Sequence, residues 1–322
     1  MIQLFPAPNF DFIGKRRWAY LLSVAFILVG LGSIAVRGGL RYDIDFAGGT
    51  LIQVRFEQPP AIGEIRAALV RIGLGDSVIQ QFGDEREYIV RMPLTGMASE
   101  EVTRRVREAL EQQRSLGAFE VRRVEFVGPQ VGHDLQLQAI YAVAAGLVGI
   151  LVYIAVRFDL KGGIAAVVAV FHDVLVSVGA LSLANREFSL PVLAAILTII
   201  GYSVNDTIVA YDRLRENRGR TGHLKGQTFA QQINTAINQT LSRTVLTALT
   251  TFFATAILLA FGGKVLEDFA FALFVGVITG TYSTIYIAGA LIVDWTQYVE
   301  GRGKARKKAV AKPGEPRVKS HV

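Results

Sequence analysis

Six long apolar runs dominate the pattern of hydrophobic and polar positions along the chain. A helix rises 1.5 Å per residue and needs about 20 residues to cross a bilayer. Each run is close to that length, so the pattern predicts six membrane-spanning helices, called spans one to six in chain order. The runs cover residues 18–36, 137–156, 164–184, 189–211, 240–262 and 269–293.

Span one lies near the N-terminus, where a secretory signal peptide would also lie. Its apolar stretch is long for the central region of a signal peptide, and no clear Ala-x-Ala cleavage site follows it. We therefore expect span one to remain in the protein as a membrane helix.

Lysine and arginine residues beside the spans predict the orientation in the membrane. The short connections 185–188 and 262–268 hold one basic residue each. Basic residues gather instead before span one, between spans two and three, between spans four and five, and after span six. Because such residues are retained in the cytoplasm, both termini are expected to be cytoplasmic.

Residues 37–134 have the shorter periodicities of a soluble domain, which this orientation places outside the cytoplasm. The expected order of elements is β-α-β-β-α-β, the split pattern of ferredoxin-like domains. Strands are predicted in "YDIDF" (42–46), "TLIQVRFE" (50–57), "DSVIQQF" (76–82), "EYIVRM" (87–92) and 119–127, and helices at 61–73 and 98–115, the second capped by Ser99. The predicted layout is residues 1–36, N-terminus and span one; 37–134, inserted ferredoxin-like domain; 135–295, spans two to six; and 296–322, basic cytoplasmic tail.

Composition supports a membrane class and excludes several kinds of chemistry. The 322 residues are 51% hydrophobic and 19% charged, with a mean hydropathy of +0.38. The absence of cysteine excludes disulfides, thiolate metal sites and cysteine nucleophiles. The net charge of +7 is concentrated beside the apolar runs, which favours topology signals over nucleic-acid binding. No phosphate-binding loop is present, so direct use of ATP is not expected.

Polar residues inside the spans are the candidate functional residues, because a carboxylate in hydrocarbon is energetically costly. Span three carries Asp173, which shares a helical face with Ser177. The neighbouring His172 points elsewhere and is interpreted as a packed polar residue. Span four carries Asn205 and Asp206, and Tyr202 lies on the face of Asp206, where it can donate a hydrogen bond.

Span five contributes a basic residue and a polar stripe. Arg243 lies at a depth similar to that of Asp206, which suggests a pair. Separation of the arginine would let the carboxylate take a proton, whereas a permanent structural ion pair is the alternative. The stripe, which either satisfies backbone carbonyls or lines a hydrated path, consists of Thr240, Thr244, Thr247, Thr251 and Thr255. Asp268, before span six, is either a helix N-cap or first-turn charge, or the outer mouth of that path.

These residues occur within motifs that together resemble the SecF family, a branch of the resistance-nodulation-division superfamily. The resemblance runs from Phe10 to about Trp295, with departures at Asp43, where glycine is usual, and at His133–Asp134. The matching motifs are "YDIDFAGGT" (42–50), "EFVGPQVG" (125–132), "RFDLKGG" (157–163), "FHDV" (171–174), "GYSVNDTIVAYDRLREN" (201–217), "NQTLSRTVLTALTT" (238–251) and "LEDFAFALFVG" (266–276).

The resemblance implies a proton-driven subunit that helps to export polypeptides across the bacterial cytoplasmic (inner) membrane. It implies proton-relay roles for Asp206 and Arg243, with Asp173 and Asp268 as further acidic candidates. The polar residues of spans four and five would form a supporting path, which consists of Asn205, Tyr202, Thr244, Thr247 and Thr251. No cofactor or metal is implied. The implied partners are SecD, the channel proteins SecY, SecE and SecG, the proteins YajC and YidC, membrane lipid and the unfolded polypeptide, but no nucleic acid.

Three other functions fit parts of the pattern. A small-molecule or lipid exporter of the same superfamily has similar spans, but its outer region is larger than roughly 100 residues. A passive membrane scaffold would not need charged spans. An intramembrane aspartyl protease needs two facing carboxylates, a role that Asp173 and Asp206 could fill, but no Gly-x-Gly-Asp motif accompanies either residue.

Overall fold

The computed structural model describes residues 5, 8–219 and 226–310, with side chains up to residue 299. The first helix and the inserted domain comprise α1 (Arg16–Val36), α2 (Ile44–Ala47), β1 (Gly49–Phe56), α3 (Ile62–Arg71), β2 (Val78–Gln81), β3 (Glu87–Met92), α4 (Ser99–Glu111) and β4 (Phe119–Val127). The remaining helices are α5 (Pro129–Arg157), α6 (Leu160–Leu183), α7 (Leu190–Gly219), α8 (Phe229–Phe261), α9 (Gly263–Ser283), a π-helical turn (Thr284–Ala288) and α10 (Gly289–Val310).

The six predicted spans are confirmed within the described residues. The helices α1, α5, α6, α7 and α8 are long and apolar enough to cross a membrane, and the sixth span runs through α9, the π-helical turn and the start of α10. Several helices continue past the apolar run. Thr228, for example, starts α8 with a reciprocal capping box, in which its backbone N–H donates to the Gln231 side chain at 2.8 Å.

The inner layer of the bundle is formed by α6, α7 and the sixth span, and α1, α5 and α8 lie around it. At least half of each inner span is buried, against less than a fifth of each outer one. The close approach of α1 to α6 depends on small residues, since a Cβ added to Gly30 of α1 would lie 2.7 Å from the Cα of Gly179 in α6. Beside this crossing, the Ser33 and Ser182 hydroxyls are 2.9 Å apart.

The inserted domain is a four-stranded antiparallel sheet in the order β2-β3-β1-β4. Its apolar core joins inward-facing strand residues such as Ile52 and Val90 to α3 and α4, represented by Ile65 and Val106. The sheet lies between the first and second spans, as the ferredoxin-like prediction requires. The end of the bundle that carries it is called the domain end, and the opposite end, with the N-terminal segment, the terminal end.

Two local predictions in the inserted domain are wrong. "YDIDF" (42–46) is not a strand, because the Asp43 side chain accepts a hydrogen bond from Ile44 N–H at 2.7 Å and starts the short helix α2. Ser99 is not an N-cap, because it is the first residue of α4; Ala98 occupies the cap position without a side-chain hydrogen bond.

The charged segment predicted to join spans four and five is mostly helical, because α7 continues to Gly219. The rest of that segment, 220–225, and residues 311–322 of the predicted basic tail lie outside the described residues.

Candidate functional site

Asp173 is the centre of a buried polar cluster between three inner helices. Its side chain is completely buried, and Oδ2 accepts hydrogen bonds from Ser203 of α7 at 2.6 Å and from Ser283 of α9 at 2.7 Å. The carboxyl group of α6 is thus held by hydroxyl groups from both neighbouring helices. A buried carboxyl group needs such hydrogen-bond partners, because an unpaired buried polar group is destabilising.

The structure corrects the interpretation of two neighbours of Asp173. His172 does not point away from it, since its ring Nδ1 lies 3.0 Å from Asp173 Oδ1. Ser177, expected to share the face of Asp173, is fully buried, but its Oγ has no hydrogen-bond partner in the described part of the chain. The Asp173 carboxyl group therefore interacts on both oxygens, but with His172 rather than Ser177.

A string of buried hydroxyl groups extends from this cluster toward the terminal end. Thr284 Oγ1 donates to the Ser203 carbonyl at 3.3 Å, and the Thr207 and Thr284 hydroxyls are 3.2 Å apart. One turn farther along α7, Tyr211 donates to the Ala288 carbonyl at 3.4 Å. The string follows the contact between α7 and the π-helical turn.

The local backbone explains how these side chains meet. A Cβ at Gly280 of α9 would lie 3.2 Å from Ser203 Cβ, so the glycine lets α9 approach α7 closely. The next turn of the sixth span is π-helical over Thr284–Ala288. Such wider turns often occur at functional sites because they change the direction of side chains within a helix.

Asp206 lies one turn from Ser203 and is also buried, with 3% of its surface exposed. It faces α8, where Arg243 supplies the charge that acts on it and Thr247 supplies a hydroxyl group close to its carboxyl group. The predicted direct pair is not formed, since no ion pair within 4.0 Å joins Asp206 to Arg243 among the described side chains. The two residues are electrostatic neighbours with a gap between them.

Arg243 lies on an exposed polar face of α8. Arg243 and Thr250 are exposed and seven residues apart, which places them on the same side of the helix. Buried Thr244 and half-buried Thr247 and Thr251 lie next to this face. Several hydroxyls in the threonine stripe donate to backbone carbonyls of their own helix. For example, Thr247 donates to the Arg243 carbonyl at 3.1 Å and Thr251 donates to the Thr247 carbonyl at 3.1 Å.

Tyr202 does not donate to Asp206 as expected, and Asn205, expected in the supporting polar path, faces away from the interior of the bundle. The Tyr202 hydroxyl is buried and makes no hydrogen bond to described residues, although Thr251 and Thr281 are nearby. Asn205 is exposed on the outside of the bundle, inside the apolar part of α7. Tyr202 therefore adds polarity near Asp206 without donating to it, and Asn205 faces outward.

Asp268 belongs to the domain end and not to the cluster around Asp173. Its carboxylate accepts from Arg186 Nη1 at 2.7 Å and from Glu187 N–H at 3.2 Å. It is not a helix cap, because α9 begins five residues earlier, after Gly262. Asp268 is thus a residue of α9 that is ion-paired with the loop between α6 and α7.

Ser203 and Ser283 are the site residues that the sequence analysis missed. A serine in an apolar helix satisfies itself on its own backbone so often that it gives little local signal. A usable signal was the three-residue spacing of Ser203 and Asp206, together with the adjacent pair Ser283–Thr284.

Comparison with family models and curated proteins gives a consistent result. Residues 105–298 match the model "Protein export membrane protein SecD/SecF, C-terminal", and residues 32–60 match "SecD/SecF GG Motif". The protein translocase subunit SecF of Desulfurispirillum indicum is 46% identical over 94% of this chain and 96% of its own length. SecF of Pseudomonas aeruginosa is 41% identical over 88% and 90%, respectively.

Solved structures give the same similarity to SecD and SecF proteins. The chain superposes on the crystal structure of SecDF from Thermus thermophilus, a translocon-associated membrane protein, with a TM-score of 0.77 and 40% identity. It matches SecDF in a super-membrane-facing form with a TM-score of 0.70 and 39% identity. These matches cover 90% and 97% of this chain but only 39% and 41% of the SecDF chains.

Proposed function

Because the chain belongs to the SecF family of protein translocase subunits, we propose that it uses the proton gradient to promote export of polypeptides. Family membership and the six apolar helices give a multi-pass membrane protein with an accessory role in the Sec pathway. Coupling of export to proton movement is the more specific part of the proposal. The proposal involves no cofactor, and protons are the coupling ion.

The observation that carries proton coupling is the position of Asp206. Its carboxyl group is buried inside an apolar span, and the arginine that acts on it is not bound to it. A buried carboxyl group without a bound cation is stable only if it can be neutralised or reached by a counter-charge. Asp206 has both options, a proton or approach by Arg243, and this makes it a two-state group.

A cycle follows from these two states. When Asp206 is ionised, attraction draws the Arg243 side chain and α8 toward α7; when Asp206 is protonated, that attraction is lost. The buried hydroxyls that run from the Asp173 cluster to Thr207, the residue after Asp206, offer donors and acceptors along part of a route for the proton. Proton uptake on one side and release on the other would alternate the two arrangements of the helices.

The partner that the geometry favours is a second bundle of similar architecture, SecD. SecD would cover the exposed polar residues Asn205, Arg243 and Thr250, which lipid solvates poorly. The additional length of the SecDF chains leaves room for such a second half. We further propose the bacterial inner membrane with both termini cytoplasmic, and contacts with SecY, SecE and SecG and with YajC and YidC during export of an unfolded polypeptide.

The test is Asp206→Asn, measured as export of a model secretory protein into inverted membrane vesicles with and without a proton gradient. We expect the gradient-dependent part of export to be lost, while folding and association with SecD persist. Asp212→Asn is the matched control, because Asp212 is on the same helix but exposed and paired with Arg157. Normal gradient-dependent export in the Asp206 variant would overturn the proton-coupling proposal.

A further inference from the structure

The inserted domain is connected to the bundle by two covalent links, and both contain glycine. On one side, Gly48 and Gly49 have φ values of +74° and +147° and connect α2 to β1. On the other side, Gly128 connects β4 to α5. Since α2 is fixed to α5 by a hydrogen bond from Gln136 to the Phe46 carbonyl at 2.7 Å, the sheet joins this pair of helices through glycines on both sides, and glycine resists changes of backbone direction least.

We propose that Arg91 is a positioning residue that fixes the orientation of the sheet on the loop between α6 and α7, so that movements of this loop move the inserted domain. Arg91 lies on β3, and its side chain contacts both the loop between α6 and α7 and the start of α2. Its Nη1 is 3.1 Å from Glu187 in the loop, and its Nε is 3.3 Å from Asp43 at the start of α2. The purpose of such movement, traction on a polypeptide, rests on the proposed function, whereas the restraint itself does not.

The contacts of Arg91 are largely shielded from solvent. The side chains of Arg91, Asp43 and Glu187 are 16%, 11% and 13% exposed. Arg91 Nη1 also donates to Gln80 of β2 at 3.0 Å. A guanidinium group with carboxylates on two sides restrains direction as well as distance, because its donors lie in one plane. The ion pair with Asp43 lacks hydrogen-bond alignment, so the contact with Glu187 provides most of the directional restraint.

The loop that Arg91 holds is coupled to α9. Glu187 N–H donates to Asp268 of α9, and Arg186 binds Asp268 through Nη1 at 2.7 Å and Glu267 through Nη2 at 2.9 Å. The opposite end of α9 supplies Ser283, which binds Asp173. One helix therefore contacts the buried carboxyl cluster at one end and the support of the inserted domain at the other.

Backbone pairing also joins the loop between α6 and α7 to the segment before α2. Residues 41–43 pair with Phe188 through Asp43 N–H to the Phe188 carbonyl at 3.1 Å and Phe188 N–H to the Arg41 carbonyl at 2.7 Å. This makes the loop and the start of α2 one unit. Besides its covalent links, the sheet is held by side chains: Arg91 bridges it to that unit, and Gln80 of β2 donates to the Lys264 carbonyl of α9 at 2.8 Å.

The experiment measures orientation directly and needs no transport. The chain has no cysteine, so nitroxide labels on Glu111→Cys, at the exposed end of α4, and Val36→Cys, at the exposed end of α1, report the distance between domain and bundle. Measurement is by pulsed dipolar spectroscopy on the full chain in lipid vesicles. We expect Arg91→Gln to broaden the distance distribution at least twofold and Arg91→Lys to restore it in part.

Arg104→Gln is the matched control, because Arg104 is an exposed arginine of the same domain whose partners, Glu101 and Glu108, are on its own helix. It should leave the distribution unchanged. Asp43→Asn is a second variant that removes one Arg91 contact while an amide still caps α2, and it should broaden the distribution less. An unaltered distribution in Arg91→Gln overturns the inference. If the distribution broadens but export of the unsubstituted chain is independent of the proton gradient, the proposed function fails and the restraint stands.

Discussion

At the scale of single residues, the buried carboxyl groups of the inner spans differ in how they are satisfied. Asp173 has partners on both oxygens, from three helices. Asp206 has an arginine at a distance and one nearby hydroxyl. A fully satisfied network rigidifies its surroundings, whereas an incompletely paired charge is free to change its state. We infer that Asp173 organises the packing of the inner helices and Asp206 supplies the switch.

The serines that bind Asp173 provide a stability test. Ser203→Ala and Ser283→Ala each remove a hydrogen bond to a buried carboxylate, so each should destabilise the protein by about 1 kcal/mol. The measurement is the thermal unfolding midpoint in detergent.

Ser177→Ala is the matched control for both serines. Ser177 is on the same helix as Asp173 and fully buried, but its hydroxyl lacks a partner in the described structure. Removing it should leave the midpoint unchanged or raise it. Equal losses in all three variants would contradict the assignment of the Asp173 hydrogen bonds.

The sequence permits prediction of the carboxyl groups but not of their partners. A charged residue in an apolar run is visible locally, so Asp173 and Asp206 could be recognised without a structure. Their neighbours depend on how helices rotate and cross. Ser177, four residues from Asp173, was the natural helical neighbour, but Ser203 and Ser283, from other helices, are the bonded ones. Tyr202 was misjudged for the same reason.

At the scale of elements, the spans were predictable because bilayer thickness sets a minimum length for an apolar helix. The ends of the helices were less predictable, since α5, α7 and α8 extend beyond the apolar runs. The error at 42–46 has a specific cause: alternating polar and apolar residues suit a strand, but Asp43 caps a helix there instead. Asp43 also contacts Arg91.

The junction of the domain end should respond to pH. Burial raises the pKa of Asp43 and, separately, burial raises the pKa of Glu187. The folded protein then holds these protons at a higher pH than the unfolded chain. Their stabilising contribution is present below the ordinary carboxyl pKa and is lost as pH rises through the raised values. The charged groups that act on the two residues are Arg91, Arg41, Asp45 and Asp268.

We therefore expect Asp43→Asn to flatten the fall of the unfolding midpoint as pH rises above the ordinary carboxyl pKa of about 4. Asparagine keeps the helix cap but cannot titrate. The control is Glu111→Gln at the exposed end of α4, whose curve should run parallel to that of the unsubstituted protein. A parallel curve for Asp43→Asn would mean that titration of Asp43 does not contribute to the pH dependence.

At the scale of the whole molecule, the outer surface of the bundle has two kinds of face. The helix α5 exposes apolar residues such as Ile140, Val148 and Val152, as contact with lipid requires. The face formed by α7 and α8 also exposes apolar residues such as Phe253 and Ile257, but it adds Asn205 and Arg243 within the spans. Polar groups inside a membrane generally face another helix or a hydrated cavity. This asymmetry indicates on which side a second bundle would bind.

A bulky substitution on each face tests that assignment. Thr250→Trp adds an indole to the side of α8 that also carries Arg243. The indole should prevent close contact with a SecD bundle, because such contacts depend on small residues. Val148→Trp adds the same group to α5, where lipid can rearrange around it. Co-purification with tagged SecD should then fall at least tenfold for Thr250→Trp and remain unchanged for Val148→Trp. The opposite order would place SecD against α5, and Asn205 and Arg243 would then need another cover, such as a hydrated path.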